Sequence, residues 1–509
     1  MKSTARSIMS RIAFWAWFFC AFAVVASAPT TGCGSNESPS GEPRSEARRT
    51  SAPATKPPAP PKRIFAKKFV AKIRETADRK AKSLGYLRAG AVITATTAEP
   101  VGRERCRGGW FTLPEGGFVC NVADVLAFDG EKLPERRAAQ PDFAAPLPYP
   151  FGYAKRDRIP VFRRLPTLEE LMRVEDPAEL RALMSAPPST DGGAGGAEGG
   201  GDPVSDGGVA PGDGGPPTLG NLLGHEESPV LRLLMKGFYV SLDREIDVGP
   251  RKVWRTQHNE FIPSEAISLV EGSAFEGTPL GGDVALPLGY VLSSDSSAYE
   301  RPETGPPKRS AAPGYHHRFA VTGTEKIAGK DYVVAADGRL FSPREVVVIE
   351  AAARPKKVAE TEAWIDIDLE RQSLVAYEGD KPVYATLVST GRVRKADVNS
   401  HPTPPGLYRI LSKHVSHVMD GDSAIDGPYS IEDVPYVMYF QGAFALHSAF
   451  WHNRFGRPKS HGCVNLAPRD AKWLFGWTDP KLPAAWHGVY PRAERPGTWV
   501  RIRGETPAL

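Results

Sequence analysis

The sequence predicts a mainly β, multidomain chain: small barrels, then a C-terminal β domain with one short helix. Three observations predict it. Short apolar runs broken by glycine recur, as in Gly85-Tyr86-Leu87, Gly90-Ala91-Val92-Ile93 and Gly117-Phe118-Val119-Cys120, which is the punctuation of strands and turns. A bulky ring followed by an apolar dipeptide also recurs: Trp110 then Phe118-Val119, Trp254 then Phe261-Ile262, Tyr332 then Leu340-Phe341. A ring and a dipeptide facing each other across a hairpin would fill the core of a small barrel. Last, alternating apolar stretches at 364–369 and 498–503 frame a single helical pattern at 468–477.

The length of 509 residues suggests about three or four domains. Basic residues number 64 and acidic ones 59, for a formal charge of +5. That is a mixed, solvated surface and gives no argument for nucleic acid as a partner. The 50 Gly and 48 Pro point to linkers. Cys20 lies in an apolar N-terminal run, Cys33 follows it, Cys106 and Cys120 are a near pair, and Cys463 stands alone. One reading fits all five: a secreted chain with a leader, a candidate lipid anchor, one disulfide and one free thiol.

In chain order, residues 1–28 read as a signal peptide. Lys2, Arg6 and Arg11 are its positive region, and Ala26-Ser27-Ala28 is its cleavage signal. Thr30-Thr31-Gly32-Cys33 resembles a bacterial lipobox, with Thr30 where leucine is preferred. Lipidation at Cys33 and simple cleavage after Ala28 both stay open. An uncleaved span ranks behind them, because the apolar run is short. Either way the expected location is the bacterial envelope, outside the cytoplasm. Residues 34–62 hold almost no apolar residues and read as a disordered tether.

Residues 63–127 read as the first small β domain. Gly116-Gly117 marks a hairpin, and a Cys106–Cys120 disulfide beside it would contribute about 3 kcal/mol on the chain-entropy model. Residues 142–186 read as linker and short helices: Thr167 and Glu170 form a capping box, and Pro177 opens a second helix ending near Met184. Residues 187–217 are almost entirely Gly, Asp, Pro, Ala and Ser, a disordered linker. Whether 142–166 belongs to the next unit stays open. Residues 229–272 and 286–351 repeat the barrel pattern. All three units resemble bacterial SH3-type barrels. The simpler reading makes them spacers; the sharper one has them bind wall peptide or glycan.

Ser460-His461-Gly462-Cys463-Val464-Asn465-Leu466 holds the only cysteine of the second half. Cysteine attacks as thiolate, so it needs a base or a positive field. His447 and His461 are the candidates. Gly462 has no Cβ, so a substrate carbonyl could approach the amides of Gly462 and Cys463. His414 and His417 lie three apart with no third ligand near, so no metal site is expected.

The heptamer resembles the active-site signature of YkuD-type L,D-transpeptidases, enzymes that cross-link peptidoglycan. Four other segments resemble that family in its order: Leu387-Val388-Ser389-Thr390-Gly391-Arg392, Thr403-Pro404-Pro405-Gly406-Leu407-Tyr408, Ala445-Leu446-His447-Ser448, and the run from Trp451 to Lys459. The resemblance covers 363–503. It implies a β-sandwich catalytic domain in which Cys463 is the nucleophile and His447 the proton acceptor and donor. The Ser448 carbonyl would orient His447, and the Gly462 and Cys463 amides would hold the oxyanion. It further implies acyl transfer from a peptidoglycan stem tetrapeptide, with loss of D-alanine and a 3→3 cross-link. No metal or organic cofactor is required. Carbapenems are expected to acylate Cys463.

Substrate-binding candidates are His461, Tyr429, Asn465 and Ser460. His461 either contacts substrate or supports the turn, Tyr436 competes with Tyr429, and Ser460 and Asn465 can instead bond the loop backbone. Residues 414–439 are long enough for a lid. Two other functions compete: an L,D-carboxypeptidase on the same stems, and an inert wall-binding scaffold.

Overall fold

The computed structural model describes residues 61–128, 139–185, 222–393, 400–423 and 427–507. The leader with Cys33, residues 34–60 of the tether and the 187–217 linker lie outside the described residues. Everything described belongs to one unit, Ala59–Leu509.

In the first β unit, Arg63–Ala66 pairs with Val92–Thr94 and Val125–Phe128, and Val70–Arg74 pairs with Ser83–Arg88. Trp110–Thr112 and Phe118–Cys120 form the expected hairpin, with Phe111 opposite Val119. Gly116 and Gly117 take φ of 84° and 91° at its turn, a region open to glycine. Ile64, Ile73, Leu87, Phe111 and Val119 fill the core. Cys106 and Cys120 are bonded, Cα atoms 5.8 Å apart, against the buried Trp110.

The second unit is larger than 229–272. Phe151–Ala154 pairs with Tyr239–Val248 and Ile267–Val270, while Ile159–Phe162 pairs with Val230–Leu234 and Phe261–Pro263. The segment 142–186 therefore holds two strands of this unit besides its helices, which corrects its reading as a linker. Ile159, Val161 and Phe162 are wholly buried. A four-residue strand buried on both faces has no alternation to betray it. The helices Leu168–Arg173 and Pro177–Ser185 follow as expected, and the capping box is present: Glu170 N donates to Thr167 Oγ1 at 3.2 Å, and Thr167 N to Glu170 Oε2 at 2.8 Å. Leu171, Leu180 and Leu183 join the core of this unit.

The third unit centres on Leu288–Val291, flanked by Arg318–Ile327 and Val346–Ile349. Its hairpin sets Val333 against Phe341, and Phe319 stacks on Phe341 at 4.1 Å.

The C-terminal domain has two sheets over one core that includes Ile365, Ile367, Met438, Leu446, Val464 and Leu474. In one sheet, Ala363–Asp368 lies between Ser373–Glu378 and Trp499–Arg503. The alternation there predicts a half-buried strand, yet Asp366 and Asp368 are buried like their apolar neighbours. Their face meets protein: Arg501 reaches Asp366 at 2.6 Å, and Arg503 reaches Asp368 at 2.8 Å. The helix Pro468–Trp477 stands where expected. Its Asp470 also does more than meet the helix dipole. It is buried, accepting from the Gly277 amide at 2.7 Å, the Tyr384 hydroxyl at 2.8 Å and the Thr386 hydroxyl. Burial pushes this carboxyl up to about 6.

The other sheet contains a long hairpin, Ser412–Ser423 with Gly427–Gln441, followed by Phe444–Ser448 and the parallel Val464–Leu466. This sheet runs on into the upstream units. Tyr239 bridges Ile431, and Gly488–Val489 pairs with both Lys413-His414 and Gly85-Tyr86. The first and second units are thus built into the C-terminal sheet, and a spacer role for them does not fit. A buried polar hub seals the junction. Asp433 accepts from Arg88 of the first unit at 2.8 Å, from Ser241 of the second at 2.6 Å, and from Ser416 at 2.8 Å; His258 lies 3.1 Å away. Glu432 pairs with Arg232 and accepts from the Ser241 amide at 3.2 Å.

Candidate active site

The signature turn is held from three directions. Ser389 and Asn465 exchange backbone hydrogen bonds of 3.0 and 2.8 Å. The buried Thr403 hydroxyl accepts from the Gly391 amide at 2.9 Å and donates to the Gly462 carbonyl at 2.7 Å. Ser460 Oγ accepts from the Gly462 amide at 3.1 Å and donates to the Cys463 carbonyl. Gly462 sits at φ +116°, and a Cβ there would lie 2.6 Å from the Phe444 ring. Glycine is thus required for the turn itself.

One sequence expectation changes here. The Gly462 amide is already donated to Ser460 Oγ, so it is not the free oxyanion donor that was anticipated; of the proposed pair, the Cys463 amide is left. Ser460 accordingly braces the loop, the backbone role foreseen as its alternative.

Leu446 pairs with Val464 and His447 with Asn465 in parallel register. Paired residues share a face, and so do residues two apart on a strand. Cys463 immediately precedes the Val464–Leu466 strand, and its thiol and the His447 ring line one cavity of ≈ 560 Å³. His447 Nδ1 donates to the Ser448 carbonyl at 3.0 Å, which leaves Nε2 as the basic nitrogen. Trp451 stacks on the imidazole, centroids 5.8 Å apart.

Burial governs the electrostatics. It pushes the His447 imidazole down to about 4, the Ser448 carbonyl pulling back, and pushes the Cys463 thiol up to about 11. At neutral pH the resting pair is therefore thiol and neutral imidazole. His447 can act as base only while unprotonated, so acylation should fall as pH drops through about 4 and should not fall between pH 5 and 9. Timed mass spectrometry of carbapenem acylation would check this. An acid limb near 6.5, the ordinary histidine value, would mean that a solvated imidazole is the base.

The remaining candidates separate cleanly. Tyr429 lines the cavity and lies parallel to His461, centroids 5.1 Å apart with planes 2° off. Tyr436 is instead 1% exposed, within the domain core. His461 lines the cavity, and its Nε2 lies 2.9 Å from Arg392 Nη2. Asn465 sets its Nδ2 3.0 Å from His452 Nε2, while its buried Oδ1 has no protein partner. The 412–441 hairpin forms one wall of the cavity through Met419, Asp420, Tyr429, Ile431 and Tyr439. Nearer its base, Lys413-His414 and Asp433 join it to the other units, so this wall is continuous with them.

Sequence reading missed Arg392, Lys459, Trp451 and, from the second unit, Tyr239, all lining residues. Arg392, Trp451 and Lys459 sat inside recognised motifs, which marked them as present without assigning a role. Tyr239 had no motif to mark it. His414 and His487 are buried and His452 is half-buried; His414 lies 3.1 Å from the Tyr86 hydroxyl. Among the described residues, no group of three or more His, Cys, Asp or Glu could hold a metal ion.

Residues 362–502 match the family model of the YkuD L,D-transpeptidase catalytic domain. Over 86 residues the chain is 35% identical to Probable L,D-transpeptidase 3 of Mycobacterium tuberculosis. That match covers 16% of this chain and 32% of the relative, so the chain spans about a third of the curated protein it resembles. Among solved structures it is similar to an L,D-transpeptidase from Stackebrandtia nassauensis, at 24% identity over 30% of this chain and 60% of that one, TM-score 0.21. It is also similar to the catalytic domain of the E. faecium L,D-transpeptidase, at 24% identity over 28% of this chain and 98% of that one, TM-score 0.22.

Proposed function

From the YkuD-type L,D-transpeptidase domain at residues 362–502, we propose that this protein is a cysteine acyltransferase of the bacterial envelope acting on peptidoglycan stem peptides. The observation that carries the reading is the convergence of Cys463 and His447 in one cavity, with His447 Nδ1 held on the Ser448 carbonyl.

The chemistry runs in two steps. Cys463 Sγ attacks the carbonyl carbon of the third stem residue while its proton passes to His447 Nε2. The resulting oxyanion is held by the Cys463 amide; one such donor is worth about 3 kcal/mol in the transition state. The C–N bond breaks, His447 returns the proton to the departing D-alanine amine, and a thioester remains. The side-chain amine of a second stem then attacks the thioester carbonyl and gives its proton to His447. The thiolate leaves and takes that proton back from His447, which restores the resting thiol and imidazole, and a 3→3 cross-link is formed.

Water in place of the amine would release a tripeptide, the carboxypeptidase reading. Mass spectrometry of digested sacculi incubated with the protein separates the outcomes. Cross-linked dimers are expected. Tripeptides alone would mean hydrolysis, and unchanged stems with retained sacculus binding would mean an inert scaffold.

The lipid anchor at Cys33 belongs to the same proposal. Cys33→Ser is expected to move the protein from the membrane to the soluble fraction; unchanged membrane retention would sink the anchor.

A further inference from the structure

The cavity around Cys463 is not closed by the YkuD-type domain alone. Gly237 and Tyr239 of the second β unit line it together with the signature residues. Tyr239 is held there from both sides. Its backbone pairs with Tyr153 within its own unit and with Ile431 on the hairpin. Two residues further on, the Ser241 hydroxyl and amide are bound to Asp433 and Glu432, and Arg232, earlier in the same unit, is paired with Glu432. Its ring meets Phe450 edge-on at 5.5 Å and lies 6.3 Å from Trp451, which in turn stacks on the His447 imidazole. The Tyr239 ring is only half buried. Among the described residues its hydroxyl has no hydrogen-bond partner.

The lining therefore has two characters. Arg392 and Lys459, near His461, supply positive charge; Tyr239, Ile431, Met419 and Trp451 supply an aromatic and apolar surface. A stem tetrapeptide divides the same way. Its leaving residue ends in a carboxylate, which suits Arg392 and Lys459. The rest of the stem carries methyl and methylene groups beside amides, which suit an aromatic face with a polar tip.

We infer that Tyr239 is a substrate-contacting residue, so that the second β unit completes the active-site cleft and holds the part of the donor stem remote from the leaving residue. This rests on the reading of the protein as a stem-peptide acyltransferase. Contacts made equally in the ground and transition states act on KM rather than kcat. A small strained acyl donor such as a carbapenem draws its reactivity from ring strain and needs Cys463 and His447, so on this inference it should depend little on Tyr239.

The test is to compare wild type, Tyr239→Ala and Tyr239→Phe on two acyl donors, a disaccharide-tetrapeptide and a carbapenem. For Tyr239→Ala we expect KM for the peptide to rise about tenfold, with kcat and the carbapenem acylation rate within about twofold of wild type. Tyr239→Phe keeps the ring and should recover most of the peptide affinity. Equal loss on both donors in Tyr239→Ala would mean that the ring merely supports Trp451 and the cysteine, and would overturn the inference. An unchanged peptide KM would also overturn it. If wild type is acylated by the carbapenem yet leaves every stem untouched, the proposed function fails instead, which is a separate result.

Discussion

Cys463→Ala is expected to lower stem-peptide turnover on the order of 10⁶-fold, the scale of losing the nucleophile of an enzyme whose catalytic groups act as a unit. Covalent capture of carbapenem within the cavity should vanish with it, because the other described cysteines, Cys106 and Cys120, are bonded to each other. The fold should survive. The thiol's contact with protein oxygen is a long 3.6 Å to the Ala443 carbonyl, and the turn is held by Ser460, Thr403 and Ser389 rather than by sulfur. A denaturation midpoint within a few degrees of wild type would separate lost chemistry from lost structure. Turnover within tenfold of wild type would remove Cys463 from the mechanism.

The second large effect lies away from the chemistry. Asp433 is 1% exposed and gathers Arg88, Ser241, Ser416 and His258. Burial alone would push its carboxyl up; the Arg88 guanidinium and His258 instead hold it well below the usual carboxylate range. Asp433→Ala would leave Arg88 buried without its partner, and removing one member of such a pair costs about 3–5 kcal/mol. Denaturant unfolding of the protein should show that loss, and Asp433→Asn, which keeps a polar side chain at φ +51°, should show less. The sign with pH follows from the depressed carboxyl. Its stabilisation is complete above the unfolded value of about 3.9 and disappears as pH falls through the lower folded value. A cost under about 1 kcal/mol for Asp433→Ala would mean that water reaches the hub.

Because Asp433 ties two upstream units to the hairpin carrying Tyr429 and Ile431, its loss should also loosen one wall of the cleft. That gives the β units a physical role in the site. The hub spans 345 residues from Arg88 to Asp433 and 192 from Ser241 to Asp433. Closure over such separations is set by which strand edges meet, and no local pattern labels an edge with its partner.

Features encoded between near neighbours in the chain could be read from it directly. The capping box at Thr167 and Glu170, the glycine turn at 116–117, the Cys106–Cys120 pair, the helix Pro468–Trp477 and the Cys463 and His447 motif were all legible that way. Even the Ser448 carbonyl beside His447 is a neighbour in the chain. The rest depended on contacts between distant segments. Phe151–Ala154 and Ile159–Phe162 became strands because their partners lie beyond an inserted helical segment. The Gly462 amide was taken by Ser460, Tyr429 rather than Tyr436 faced the cavity, and Tyr239 entered the cleft from another unit. Propensity, capping and motif spacing act between neighbours along the chain, whereas burial and hydrogen-bond pairing act between neighbours in space.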